Sequence, residues 1–121
     1  MMKNNILYVI LLCFICLSCS NYIHLPQNIN KIGDEGREGL WVIKNDTTGM
    51  IIFVRYKANL ETGKYKKYHF NGQIAAEGKY KNGKRVGHWT FYFSDGSLSA
   101  EMYYERDGTP RIIRLTNPRS W

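Results

Sequence analysis

Gly87–Tyr104 reads GHWTFYFSDGSLSAEMYY. Trp89, Phe91 and Phe93 place an aromatic ring at every second residue, the period of a strand with one buried face. Asp95-Gly96 is the dipeptide a two-residue type I′ turn requires, because both central residues need positive φ. Leu98, Ala100, Met102 and Tyr104 then return with apolar groups at every second position. Folding the arms about Asp95-Gly96 predicts Phe93 opposite Leu98, Phe91 opposite Ala100 and Trp89 opposite Met102, all on one face. Thr90, Tyr92, Ser97, Ser99 and Glu101 fall on the other.

The same unit recurs at a spacing of 24 residues. Gly39, Gly63 and Gly87 are in register, followed two residues later by Trp41, Tyr65 and Trp89, and seventeen residues later by Tyr56, Tyr80 and Tyr104. Asn71-Gly72 matches Asp95-Gly96, Ala76 matches Ala100, and Glu77 matches Glu101. The first copy is degenerate, with Thr48-Gly49 one residue out of step. Further turns are expected between the hairpins at Ala58-Asn59, Asn82-Gly83 and Asp107-Gly108. Turns this close together define an antiparallel meander and leave no room for helices. The expectation is an all-β fold, a single elongated antiparallel meander of stacked hairpins. About seven strands are predicted, near 40–45, 50–57, 64–70, 73–81, 86–94, 97–105 and 110–116. Cross-strand pairs are predicted for Lys66 with Glu77, Glu101 with Arg114, and Met102 with Ile113. Aromatics occupy both faces, so neither is expected to form a continuous apolar wall.

This ordered set resembles the MORN-repeat-variant family. The signature is a Gly-x-Trp/Tyr start, a Tyr three residues on, an Asn/Asp-Gly turn and a Glu-x-x-Tyr return arm. It appears as Gly87, Trp89, Tyr92, Asp95-Gly96, Glu101 and Tyr104, and again as Gly63, Tyr65, Tyr68, Asn71-Gly72, Glu77 and Tyr80. The resemblance covers 63–108 well and 39–62 weakly. It implies stacked hairpins in an elongated sheet and a binding or scaffold role. Many bacterial members are labelled antitoxins of toxin–antitoxin systems, and eukaryotic relatives are linked to membrane and protein binding.

The N-terminus has another character. Ile6–Leu17 is an unbroken apolar run of twelve residues, short for a membrane span and suited to the hydrophobic stretch of a signal peptide. Leu17-Ser18-Cys19 resembles the end of a bacterial lipobox, although Cys16 stands where leucine is usual. Cys13 and Cys16 would leave with residues 1–18, so the mature chain would keep Cys19 alone, at its own N-terminus. A lone exported cysteine there points to lipidation, the alternative being ordinary signal cleavage with an incidental cysteine. The expected organisation is a signal peptide at 1–18, an irregular lipid-attached tether at 19–38, the repeat domain at 39–116 and a short tail at 117–121. Ser20 after the cysteine favours the outer membrane, facing the periplasm.

Seventeen basic against ten acidic residues give a formal net charge of +7. In an exported protein this points to anionic envelope components or acidic proteins rather than nucleic acid. Lys64, Tyr65, Lys66, Lys67, Tyr68, Lys79, Lys81, Lys84 and Arg85 form the candidate partner surface. The competing reading is a solvated lysine surface that keeps a sheet from aggregating. No catalytic set, cofactor or metal site is expected: His24, His69 and His88 are scattered, and Glu77 and Glu101 are equivalent repeat positions with cross-strand partners. The functional expectation is a non-enzymatic envelope lipoprotein acting as a binding or scaffold module. Its alternative is an immunity or antitoxin-like protein that neutralises a specific effector.

Overall fold

The computed structural model describes residues 26–116. The signal peptide, Cys19, His24, the first part of the tether and the tail at 117–121 lie outside the described residues. The described chain is one antiparallel sheet of eight strands in sequence order, each paired with its neighbours in the chain. The strands are β1 (Lys31–Gly33), β2 (Gly36–Lys44), β3 (Ile51–Lys57), β4 (Leu60–Tyr68), β5 (Ile74–Lys81), β6 (Lys84–Tyr92), β7 (Leu98–Tyr104) and β8 (Pro110–Leu115). The meander is as expected, with one strand more. The surplus lies in the stretch expected to be irregular tether: β1 and the start of β2 form a small hairpin, with Lys31 opposite Glu38 and Gly33 opposite Gly36. Three residues are too few for a periodic pattern to show in sequence.

The turns fall into two kinds. Asn82 and Gly83 both take positive φ, 49° and 77°, and join Lys81 directly to Lys84. Ala58 and Asn59, at 48° and 65°, do the same between Lys57 and Leu60. These are two-residue turns of the I′ form. At Asp95-Gly96 only the glycine is left-handed, at 87°. The amide of Gly96 donates to the Phe93 carbonyl and that of Phe93 to the Ser97 carbonyl, each at 2.9 Å. This is a three-residue loop, a type I turn followed by a left-handed glycine, and not the expected I′ turn. The reason is local: Asp95 Oδ1 accepts from the Ser97 amide at 2.8 Å and so holds Asp95 out of the left-handed region. Asn71 and Asp107 make the equivalent bonds to the amides of Gln73 and Thr109. The Thr109 amide also keeps the Asp107 carboxyl below the usual carboxylate range.

The longer loop changes the register near it. Trp89 faces Met102 and Phe91 faces Ala100, as the alternation requires, but Leu98 pairs with Tyr92 rather than Phe93. A similar irregularity past Glu101 sets Met102 against Ile112 rather than Ile113, while Glu101 still faces Arg114 and Lys66 still faces Glu77.

Because partners in register share a face, the sheet divides cleanly. One face collects Trp41, Val54, Tyr56, Tyr65, Ala76, Gly78, Tyr80, Trp89, Phe91 and Tyr104. The core is on this face. Val54, Tyr56, Ala76 and Tyr104 are buried there, and Trp89 is completely buried. The Trp89 indole lies over Gly78, with the rings of Tyr65 and Tyr80 at 5.1 Å, and donates to the Lys79 carbonyl at 3.1 Å. The expectation that neither face forms an apolar wall is therefore corrected. The ring at 89 and the glycine at 78 let one face close without a second layer.

An arginine two residues before Gly39 and before Gly87 completes the arrangement, whereas Glu61 stands at that place before Gly63. The Arg85 guanidinium sits 4.6 Å over the Trp89 ring and donates to the Tyr104 hydroxyl at 3.1 Å. Arg37 repeats this 48 residues earlier, 4.1 Å over the Tyr56 ring with a 2.9 Å bond to its hydroxyl. Trp41 likewise donates to the Lys31 carbonyl, ten residues upstream, as Trp89 does to Lys79.

Burial pushes the Tyr56 and Tyr65 phenols above the ordinary tyrosine value. Unfolded tyrosines ionise near pH 10, before these folded ones do, so above that pH the native state holds the extra protons. The stability contributed by the neutral phenols is complete below about pH 10 and is lost as pH rises toward the folded values. Alkaline titration of tyrosinate absorbance is expected to show a late-ionising class that coincides with loss of near-ultraviolet circular dichroism. Ionisation of every tyrosine at the ordinary value in a still-folded protein would contradict this.

Candidate functional site

The face opposite the aromatic core is cationic. Along it run Lys64, Lys66, Lys79, Lys81 and Lys84, with Val86, His88, Thr90 and Tyr103 between and beside them. In register, Lys64 faces Lys79, Lys81 faces Lys84, and Lys79 also faces Val86 across the next strand pair. Lys66 faces Glu77, and His88 faces Tyr103 with ring centroids 5.1 Å apart. These side chains border an open groove of about 780 Å³, lined by Lys64, Tyr65, Lys66, Glu77, Gly78, Lys79, Val86, Gly87, His88, Thr90 and Tyr103. A second hollow of about 640 Å³ shares Val86, Gly87 and Tyr103 and adds Lys81, Lys84 and Arg106. The two form one track from mid-sheet toward the Asn82-Gly83 turn. Among the described residues, no carboxylate forms an ion pair with the groove lysines; the pairs present are Arg114–Glu101 and Lys44–Asp46, each at 3.9 Å.

The nine residues of the predicted partner surface are thus separated. The five lysines at 64, 66, 79, 81 and 84 come together on the cationic face. Tyr65 and Arg85 belong to the aromatic cluster, and Lys67, opposite Ala76, shares their face. Tyr68 stacks edge-on against Phe53 at 5.6 Å. Grouping by nearness in sequence merged two faces that strand alternation separates. His88, Tyr103 and Arg106 join the groove and were missed. Alternation along β6 from Trp89 places His88 on this face, and the irregularity at Gly78, a shift of two residues, keeps that parity.

What the groove can do chemically is bind. Its ammonium groups are exposed donors on a rigid sheet, suited to carboxylate or phosphate groups, and Tyr103 and His88 supply flat apolar contact. His69 Nε2 lies 2.9 Å from the Tyr92 carbonyl, away from His88. No group of three His, Cys, Asp or Glu side chains among the described residues could hold a metal ion.

A hairpin-repeat sheet with one closed face and one charged open face defines a class: a repeat protein that presents a surface. Residues 61–82 and 85–106 each match the family described as MORN repeat variant. The matched segments are β4–turn–β5 and β6–turn–β7, one hairpin each. MORN repeats are in general non-enzymatic binding or scaffold modules. The β2–β3 hairpin lies outside the matched residues and carries the same Arg37–Trp41–Tyr56 cluster. A search of curated proteins finds no match to the chain.

Proposed function

We propose that the protein is an exported bacterial lipoprotein, held through Cys19 at the outer membrane on its periplasmic side, whose sheet binds an anionic envelope component or acidic protein along the lysine groove. The observation that carries this reading is the direct opposition of Lys64 to Lys79 and of Lys81 to Lys84. Like charges directly opposite oppose folding by up to about 1 kcal/mol per pair. An anion bridging both ammonium groups removes that cost.

The anchor and the groove are tested separately. Radiolabelled palmitate is expected to enter the wild-type protein and not the Cys19→Ala variant, which should leave the membrane fraction. A Cys19→Ala protein that stays in the membrane would end the lipoprotein reading. For the groove, vesicles containing anionic phospholipid and soluble polyglutamate are the two probes. Binding of at least one is expected, weakening steeply with added salt. Binding that ignores salt would count against the lysines.

A further inference from the structure

The two edges of the sheet are finished differently. At the N-terminal edge Asn30 closes β2 beyond the short β1. Its side chain accepts from the Val42 amide at 2.7 Å and donates to the Val42 carbonyl at 3.1 Å, and its own amide bonds the Leu40 carbonyl. Asn30 thus takes the place of a further strand residue. At the opposite edge, among the described residues, β8 pairs with β7 on one side only. All of Pro110–Leu115 is exposed. Ile112, Ile113 and Leu115 are 58%, 48% and 63% exposed, three of the large apolar side chains left open to solvent gathered on one strand. A bare apolar edge of this length is a template for another strand.

Charge narrows the choice of strand. Antiparallel pairing of β8 with a second copy, centred between Ile112 and Ile113, would set Arg111 against Arg114 twice, and like charges directly opposite are destabilising. Head-to-tail addition to β1 of another copy would offer three residues, one of them Lys31. Arg111 lies over the Tyr103 ring at 5.4 Å, and no carboxylate among the described residues pairs with it. Arginines that repel a second copy attract an acidic strand, so the same charges exclude one partner and admit another.

We propose that β8 accepts an extended acidic segment of a partner protein as a ninth strand. Its carboxylates would face Arg111 and Arg114, and its apolar side chains would cover Ile112. This edge meets the lysine groove at Tyr103, which Arg111 covers, but its free strand backbone and Ile112 are not part of the groove lining, so the two are tested apart.

The test uses the full-length protein in detergent and a synthetic peptide of about ten residues alternating Glu and Val, long enough for one strand. Amide shifts in the protein are expected at 110–115. Arg111→Glu should weaken binding by about tenfold or more, and a peptide with Lys for Glu should not bind. Methylating alternate peptide amides on the edge-facing side, which leaves every charge in place, should abolish binding. The Lys64→Glu/Lys66→Glu/Lys79→Glu protein should bind the peptide as well as wild type does. The proposal is overturned if the peptide does not bind, if the methylated peptide binds equally, or if the shifts map to the lysine groove and none to 110–115. It is also overturned if sedimentation shows a dimer formed through β8, because the occupant would then be a second copy.

Discussion

Truncating Trp89 to Ala is expected to destabilise the protein by about 3–5 kcal/mol, a large part of the about 5–15 kcal/mol that holds a typical domain folded. The expectation rests on where the indole lies. A single sheet has no second layer, so the residues covering its aromatic face must do so themselves. Among the described residues, Trp89 is the one large side chain that is completely buried. Its ring is shared by Tyr65, Tyr80, Phe91 and Tyr104, with Arg85 over it. Its removal leaves a void under four rings and takes the indole donor from the Lys79 carbonyl. Gly78→Ala attacks the same contact from below. A Cβ built there would lie 2.2 Å from Cδ2 of the indole, so the ring must move. The cost is about 1–3 kcal/mol or more. Trp41→Ala, the equivalent change in the first hairpin, should cost less, since Trp41 is only half-buried. Urea denaturation followed by circular dichroism ranks the three. A Gly78→Ala protein as stable as wild type would show that close approach of ring and backbone is not what closes this face. Combining Gly78→Ala with Trp89→Phe should cost less than the two single changes added together, because the smaller ring tolerates the extra methyl.

The period of 24 residues, the order of strands and the pairs Trp89–Met102, Phe91–Ala100, Lys66–Glu77 and Glu101–Arg114 were legible in the sequence, because alternation and turn dipeptides specify them. What escaped were events of a single residue. Asp-Gly and Asn-Gly both read as two-residue turns, yet Asp95, like Asn71, bonds the amide two residues on, whereas Asn82 adopts positive φ. The first lengthens a loop and moves Leu98 from Phe93 to Tyr92. Gly78 reads as a weak point in a strand, whereas in three dimensions it is the floor on which Trp89 lies. Arg37 and Arg85 stand two residues ahead of Gly39 and Gly87, so a repeat frame started on glycine leaves them out. The lysines stand out as a group in the sequence, but grouping them by nearness merges two faces that alternation along each strand keeps apart; the shift of two residues between Glu77 and Lys79 leaves that parity intact.

Reversing one groove charge should separate stability from binding. Lys79→Glu turns the opposition of Lys64 and Lys79 into an ion pair across β4 and β5. At an exposed cross-strand position the change from repulsion to attraction is worth about 0.2–1 kcal/mol in favour of folding. The same substitution removes one of the ammonium groups in mid-groove and places a carboxylate beside Glu77, so an anionic ligand meets two negative charges where it met one. Affinity for the anionic probe should fall by about tenfold or more, and its salt dependence should become shallower. Lys67→Glu is the control of equal charge change, because Lys67 stands on the aromatic face opposite Ala76. It should leave binding within about twofold of wild type apart from the long-range field. Thermal unfolding and a salt titration of binding, run on both variants, give the discriminating pattern: higher stability and lost affinity for Lys79→Glu alone. Equal losses of affinity in the two variants would mean that net charge, not the groove, attracts the ligand. Lower stability in Lys79→Glu would mean that Lys64 and Lys79 do not oppose one another in solution.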